Sequence, residues 1–485
     1  MSSDTSVTPA QGTTETEREV AASGASTWSA LRPLLLRIHF YAGLLIAPLL
    51  LIAAVSGLLY ALSFQAEKFV YRDELTVPVG ERVLPLADQL EAAREARPDG
   101  TVTAVWPSSE EGATTRVLMD APGTPEGRSL AVFVDPYTAE VRGELPSYGS
   151  SGALPLRTWL DELHRDLHLG EAGRFYSELA ASWLWVVALG GLLLWVGRRR
   201  QRRRALIVPE RGATGRRRTL SLHGTVGLWA AVGLVALSAT GLTWSRWAGE
   251  NIGAVQDQLG GATPAVSAAL DPSAPAGDEH AGHHGGGHSG PHQGADIGVD
   301  RVLEAARSAG VDGKVALTLP SEGTGYLVKE TDTVFPVKLD SVAINPADGS
   351  VIDQVRFADY PLLAKLTRFG IDAHMGVLFG LPNQLALAAL AGALVLLILW
   401  GYRMWWQRRP VRADGTRALG GRPIPRGAWR RVPLPALLPL AAATAVVGWF
   451  VPLLGVTLVA FLVVDLAVGA VTRLRAGRGT GDATG

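Results

Sequence analysis

Histidine offers the most chemistry in this sequence, and its ten copies fall into two groups. Five sit in one glycine-rich stretch, as His280, His283, His284, His288 and His292. Clustered imidazoles bind zinc, copper or nickel, and a low-complexity stretch of this kind can collect or buffer a metal; the plainer reading is a polar linker. The other five are His39, His164, His168, His223 and His374, which border long apolar runs. Ionisable residues at membrane depth are costly and mark functional sites. Cysteine is absent, which excludes thiolate metal sites, iron–sulfur clusters and covalent haem attachment. Any haem is then held by side-chain ligation alone.

These histidines must be positioned by the apolar runs. A helix needs about 20 apolar residues to cross roughly 30 Å of hydrocarbon. Ile38–Phe64, Leu179–Gly197, Leu220–Trp244, Leu385–Trp406 and Val432–Val471 meet that test, and the last is long enough for two spans turning at Pro452. Six spans are therefore expected. Arginines cluster at 198–204 and 216–218, from Arg408 to Arg431, at Arg473, Arg475 and Arg478, and at Arg32 and Arg37. With six spans all these segments fall on one side, which the positive-inside rule makes cytoplasmic. Both termini then lie in the cytoplasm of a plasma-membrane protein. The arginines flank the membrane and serve topology and lipid contact, not nucleic acid. The formal charge of +0 is a balance of basic inner loops against more acidic outer segments.

The sequence also repeats. After His39 and after His223, glycine follows at +4 (Gly43, Gly227) and at +18 (Gly57, Gly241). Leu90–Arg94 recurs as Leu303–Arg307, Val102–Ser108 as Val315–Ser321, and Val134-Asp135-Pro136 as Ile344-Asn345-Pro346. Each copy reads as one amphipathic helix and three or four short strands with a turn at Asp/Asn-Pro. His168-Leu169-Gly170 recurs as His374-Met375-Gly376, each ahead of a span ending near tryptophan, Trp195 and Trp405. Repeats in the same order mark a duplicated unit.

The expected order is a disordered cytoplasmic tail (1–30), a first span (38–64) and an outer module (65–160). An outer histidine segment with the second span (161–197), a basic loop (198–219) and a third span (220–245) follow. Next come a linker with the histidine-rich stretch (246–296), a second module (297–360), and an outer histidine segment with the fourth span (361–406). A basic loop (407–431), a C-terminal hairpin (432–472) and a tail (473–485) complete the chain. The fold class is a membrane α-helical bundle, six spans and internally duplicated, with two extracytoplasmic α+β modules.

His39–Tyr60, Leu163–Trp195, Leu222–Ser245 and His374–Pro410 resemble the PepSY-associated transmembrane family, over roughly residues 30–410. The outer modules look like PepSY modules. The resemblance implies an iron-regulated membrane protein, and some members of the family are haem-containing reductases of ferric siderophores. The C-terminal hairpin lies outside that pattern.

The topology puts His39 and His223 near the inner face and His168 and His374 near the outer face. Two pairs at two depths suit bis-imidazole ligation of two b-type haems. Gly43 and Gly227, one turn on from the inner pair, could admit a flat porphyrin, and Gly57 and Gly241 close helix approach. His164 shares a helix face with His168 and is the alternative ligand; Met375 and Met404 are alternative sulfur ligands. From His39 to Gly57 is 18 residues, about 27 Å along a helix, too far for one cofactor. Asp465 inside the last span is either a proton-relay residue or an interfacial contact with a neighbouring helix. No Gly-x-Gly-x-x-Gly fingerprint or phosphate loop is visible, so electrons would come from a quinol or a cytoplasmic partner. The expected activity is transfer of electrons to a ferric or other metal substrate outside. The rival is a non-redox sensor, scaffold or metal-binding protein anchored in the membrane. A metal transporter is a third reading, against which the sparse ionisable residues within the spans speak.

Overall fold

The computed structural model describes residues 27–199, 204–271, 294–410, 424 and 426–481. The expected disordered tail up to residue 26, the histidine-rich stretch and parts of both basic loops lie outside the described residues. Among the described residues five helices are long and apolar enough to cross a membrane. The sixth expected span is the apolar helix Leu434–Phe450, which has only 17 residues. At 1.5 Å per residue it measures about 26 Å, at the short limit for crossing.

The chain divides into two compact units. One comprises Met1–Pro48, Ser182–Val235 and Leu397–Gly485 and carries the arginine-rich segments. It contains α1 (Thr27–Leu45) and the first residues of α2 (Ala47–Val70). Where a single span was expected to begin at residue 38, the helix is interrupted at Ile46. Pro48 explains the break. It has no N–H for the carbonyl four residues back, and Tyr402 donates its hydroxyl to that carbonyl, Leu44 O, at 3.0 Å instead. The C-terminal hairpin turns at Pro452 as expected and belongs to this unit.

The other unit holds Leu49–Ala181 and Ala236–Leu396. Here α3 (Leu86–Ala96) precedes β1 (Thr101–Trp106), β2 (Thr115–Asp120), β3 (Ser129–Val134) and β4 (Val141–Ser147). After these come α4 (Pro155–Asp166) and the start of α5 (Glu171–Arg199), whose residues from Ser182 belong to the first unit, then the end of α6 (Gly215–Leu242), from Ala236, and α7 (Trp247–Gln258). A second set follows: α8 (Val299–Ser308), β5 (Val315–Thr318), β6 (Tyr326–Glu330), β7 (Ser341–Ile344) and β8 (Val351–Val355). Then α9 (Leu362–Met375) leads into α10 (Leu381–Trp406).

Two separate modules were expected, but the strands form one antiparallel sheet in the order β4-β3-β2-β1-β5-β6-β7-β8. The halves join where β1 pairs with β5, with Val105 opposite Leu317. The joining follows from the edges: β1 and β5 would each expose a row of unpaired amides and carbonyls, and pairing satisfies both. The apolar face of each half is shared too. Leu90, Val105 and Val117 pack in one cluster with Leu303, Leu317 and Val328, under α3 and α8. Asp300 of α8 accepts the N–H groups of Leu86 and Ala87 at 2.7 and 3.0 Å. It thereby caps α3, whose own N-cap Pro85 makes no side-chain bond. The Asp/Asn-Pro turns form as expected: Asp135 Oδ1 accepts Tyr137 N at 2.8 Å and Asn345 Oδ1 accepts Ala347 N at 2.9 Å.

Candidate functional site

In the arginine-bearing unit, α1 carries His39 and α6 carries His223, with ring centres 6.3 Å apart. Each ring is pinned in the same way. His39 Nδ1 lies 3.0 Å from Val187 O and His223 Nδ1 lies 3.0 Å from Leu397 O. A carbonyl can only accept, so Nδ1 bears the proton in both and Nε2 keeps its lone pair. Four residues beyond each carbonyl stands a glycine that the ring lies against. A Cβ on Gly191 would come within 2.8 Å of His39 Cε1, and one on Gly401 within 4.0 Å of His223 Cε1.

The sheet-bearing unit repeats the arrangement with a hydroxyl in place of a carbonyl. Ser56 Oγ donates to Ile52 O and stands 2.9 Å from His164 Nδ1. Thr240 Oγ1 donates to Ala236 O and stands 2.7 Å from His374 Nδ1. A hydroxyl whose proton goes to a helix carbonyl is free to accept from Nδ1–H. The next residue in each span is the glycine that meets the ring. A Cβ on Gly57 would lie 3.1 Å from His164 Cε1, and one on Gly241 would lie 3.5 Å from His374 Cε1. Burial pushes His374 down to about 4, and His164 nearby adds to the shift. Burial lowers His164 as well, against the hydrogen bond it gives Ala53 O. Both shifts favour the neutral imidazole.

The expected outer pair was His168 with His374, with His164 as the alternative. The structure sets His164, not His168, opposite His374. His168 lies beyond the end of α4, with its ring 5.0 Å from Trp159 and Nδ1 3.4 Å from Glu162 Oε2. Matching His168-Leu169-Gly170 to His374-Met375-Gly376 misled because α4 and α9 end differently, α4 at Asp166 and α9 at Met375 itself. A better signal was present: Gly191 lies 27 residues after His164, and Gly401 lies 27 after His374. Ser56 and Thr240, Gly191 and Gly401 were all missed as site residues. They are small residues inside apolar runs, and only the packing shows what each one touches.

Of the expected porphyrin-side glycines, Gly43 has open space where a Cβ would be, and Gly227 meets only Leu397 Cδ2 at 3.6 Å. His280, His283, His284, His288 and His292 lie outside the described residues. Among the described residues no group of three or more His, Cys, Asp or Glu side chains could hold a metal ion. Asp465 pairs with Arg37 and lies 3.0 Å from Arg426 Nε. It is thus an ion-pair contact to α1, two residues before His39.

Apolar helices long enough to cross a membrane, with histidine rings seated against their glycines, and an α+β sheet define a membrane protein with an α+β module. The sequence profile of the PepSY-associated TM region matches residues 36–408, and the chain belongs to that family. No curated protein matches the chain.

Proposed function

We propose that the chain is an internally duplicated, six-span b-type cytochrome that carries electrons across the plasma membrane to a ferric or other metal substrate. His39 with His223 forms the inner ligand pair and His164 with His374 the outer pair. The observation that carries this reading is that all four rings set Nδ1 within 3.0 Å of an oxygen on a neighbouring helix and lie against a glycine, the same arrangement at both pairs. Two donors per site are too few for a bare ion but are what a macrocycle with its own in-plane nitrogens requires of a protein. The 6.3 Å between the ring centres of His39 and His223 fits one metal, since two bonds to imidazole nitrogen of about 2.0–2.1 Å take up most of it. Gly43, beside open space, leaves room for a flat ring.

A bound haem b at each pair supplies one-electron transfer near the potential that two imidazoles set. The chain's own residues do the rest. Val187 O, Leu397 O, Ser56 and Thr240 orient the imidazoles and raise their basicity, as outer-shell acceptors do for metal-bound histidine. The arginine-rich segments face the cytoplasm under the positive-inside rule, so both termini lie there, and a quinol or a cytoplasmic protein is the donor. The eight-stranded sheet lies outside, and family membership makes ferric siderophores the leading substrate class.

The test is the visible spectrum of detergent-purified protein, oxidised and dithionite-reduced, with a haem count per chain. Two haems with a sharp α band are expected. A colourless protein, produced with haem in excess, refutes the cytochrome and leaves a membrane-anchored sensor or scaffold.

A further inference from the structure

His168 is the helix-end histidine that the two pairs do not use, yet its position is held from several sides. Leu167 and His168 both have φ of 56°, a left-handed conformation that non-glycine residues rarely adopt. Such backbone persists only where surrounding structure demands it, and it gathers at functional sites. Asp166 enforces the turn: its Oδ1 accepts His168 N at 3.0 Å and its carbonyl accepts Leu169 N at 2.9 Å. The turn folds the imidazole back over α4. There it stacks on Trp159, centres 5.0 Å apart and planes 33° apart, with Nδ1 beside Glu162 Oε2 at 3.4 Å. Glu162 is itself fixed, because its other oxygen accepts Arg128 Nη2 at 2.7 Å.

An imidazole with a carboxylate at one nitrogen presents the other to a metal, and the carboxylate sets ring orientation and basicity. One imidazole cannot retain a metal of its own, and no third donor joins it among the described residues. It suits a metal that arrives in its own chelator and must leave again. Trp159 is 52% exposed, and its face offers the chelator an apolar, polarisable surface. His168 also follows the buried His164 by four residues of the same segment.

Resting on the cytochrome reading, we propose that His168, oriented by Glu162 and flanked by Trp159, is the docking contact for a ferric chelate at the outer electron exit. Nε2 takes an exchangeable position on the iron(III), displacing water. One electron from the reduced outer centre converts iron(III) to iron(II) and leaves that centre oxidised by one. The Nε2–iron bond then breaks as the iron(II) chelate departs.

The experiment uses the full chain in detergent and gallium(III) nitrilotriacetate, a redox-inert stand-in with exchangeable positions, measured by equilibrium dialysis. Wild type should bind one more equivalent per chain than His168→Ala, while both keep the same visible spectrum. The histidine-rich stretch contributes equally to the two. Glu162→Gln, nearly isosteric, should weaken gallium binding by about 10- to 100-fold, the usual cost of losing an outer-shell partner, and should slow reoxidation of reduced protein by ferric nitrilotriacetate. Equal gallium uptake by wild type and both variants overturns the proposal. So does loss of haem from His168→Ala, which would make His168 an axial ligand. A colourless wild type would refute the cytochrome reading, and the gallium difference would still decide whether His168 is a metal contact.

Discussion

The four glycines beneath the histidine rings allow a graded test of the site. Alanine at Gly191 puts a Cβ 2.8 Å from His39 Cε1, against 3.1 Å at Gly57, 3.5 Å at Gly241 and 4.0 Å at Gly401. Ordinary contact begins at 3.4 Å, so the His39 ring must retreat by the 0.6 Å difference. That is enough to break its 3.0 Å bond to Val187 O. Overpacking of this kind costs about 1–3 kcal/mol, and the lost hydrogen bond about 0.5–1.5 kcal/mol net. Against this, replacing a mid-helix glycine with alanine returns about 0.8–1.0 kcal/mol. Gly191→Ala should therefore destabilise by roughly 1–3 kcal/mol. Gly401→Ala, with no crowding to relieve, should be neutral or stabilising by up to about 1 kcal/mol. Gly57→Ala and Gly241→Ala should fall between, in that order. Denaturant unfolding in detergent, followed by circular dichroism, measures the series, and the α band reports whether the ligand pair survives. Equal effects at Gly191 and Gly401, or a reversed order, would refute the assignment of these glycines as ring seats.

Further outcomes follow from the same geometry. His164→Ala should remove one haem per chain and His168→Ala none, read from the pyridine haemochrome; the opposite result would restore His168 as the ligand. Arg157→Ala should cost about 3–5 kcal/mol, because it strips the cation from buried Glu67, whose Oε2 accepts Arg157 Nε at 2.9 Å; an unchanged melting temperature would contradict this. Asp465→Asn should loosen the C-terminal hairpin by about 3 kcal/mol, since Arg37 is then buried without its carboxylate, and limited proteolysis should cut the hairpin first. In haem-depleted protein, burial holds His374 at about 4, so the unfolded chain takes up the proton first. Stability should thus be full above about pH 6.5 and fall by a few kcal/mol towards pH 4; a flat profile over that range would show the ring to be solvated.

The sequence by itself determined the class of the protein. Spans of about 20 apolar residues can only be helices in lipid, because every backbone group must be satisfied internally. The repeated words at 90–108 and 303–321 likewise announced two similar α+β halves, and His39, His223 and His374 stood out because ionisable residues are rare beside such spans. Three matters needed the tertiary structure. The halves merge into one sheet through β1 and β5, an edge pairing that strand patterns do not encode, since both faces read the same whether an edge is paired or bare. The first arm of the C-terminal hairpin, Leu434–Phe450, keeps only 17 residues, because Val451 leaves the helical conformation ahead of Pro452. His164 and not His168 is the imidazole near His374, because α4 stops at Asp166 and the left-handed turn at Leu167 and His168 swings the later ring onto Trp159. Residue type selected the candidates, but which imidazole meets a glycine across a helix interface depends on where each helix stops, and that is decided by packing between segments more than a hundred residues apart.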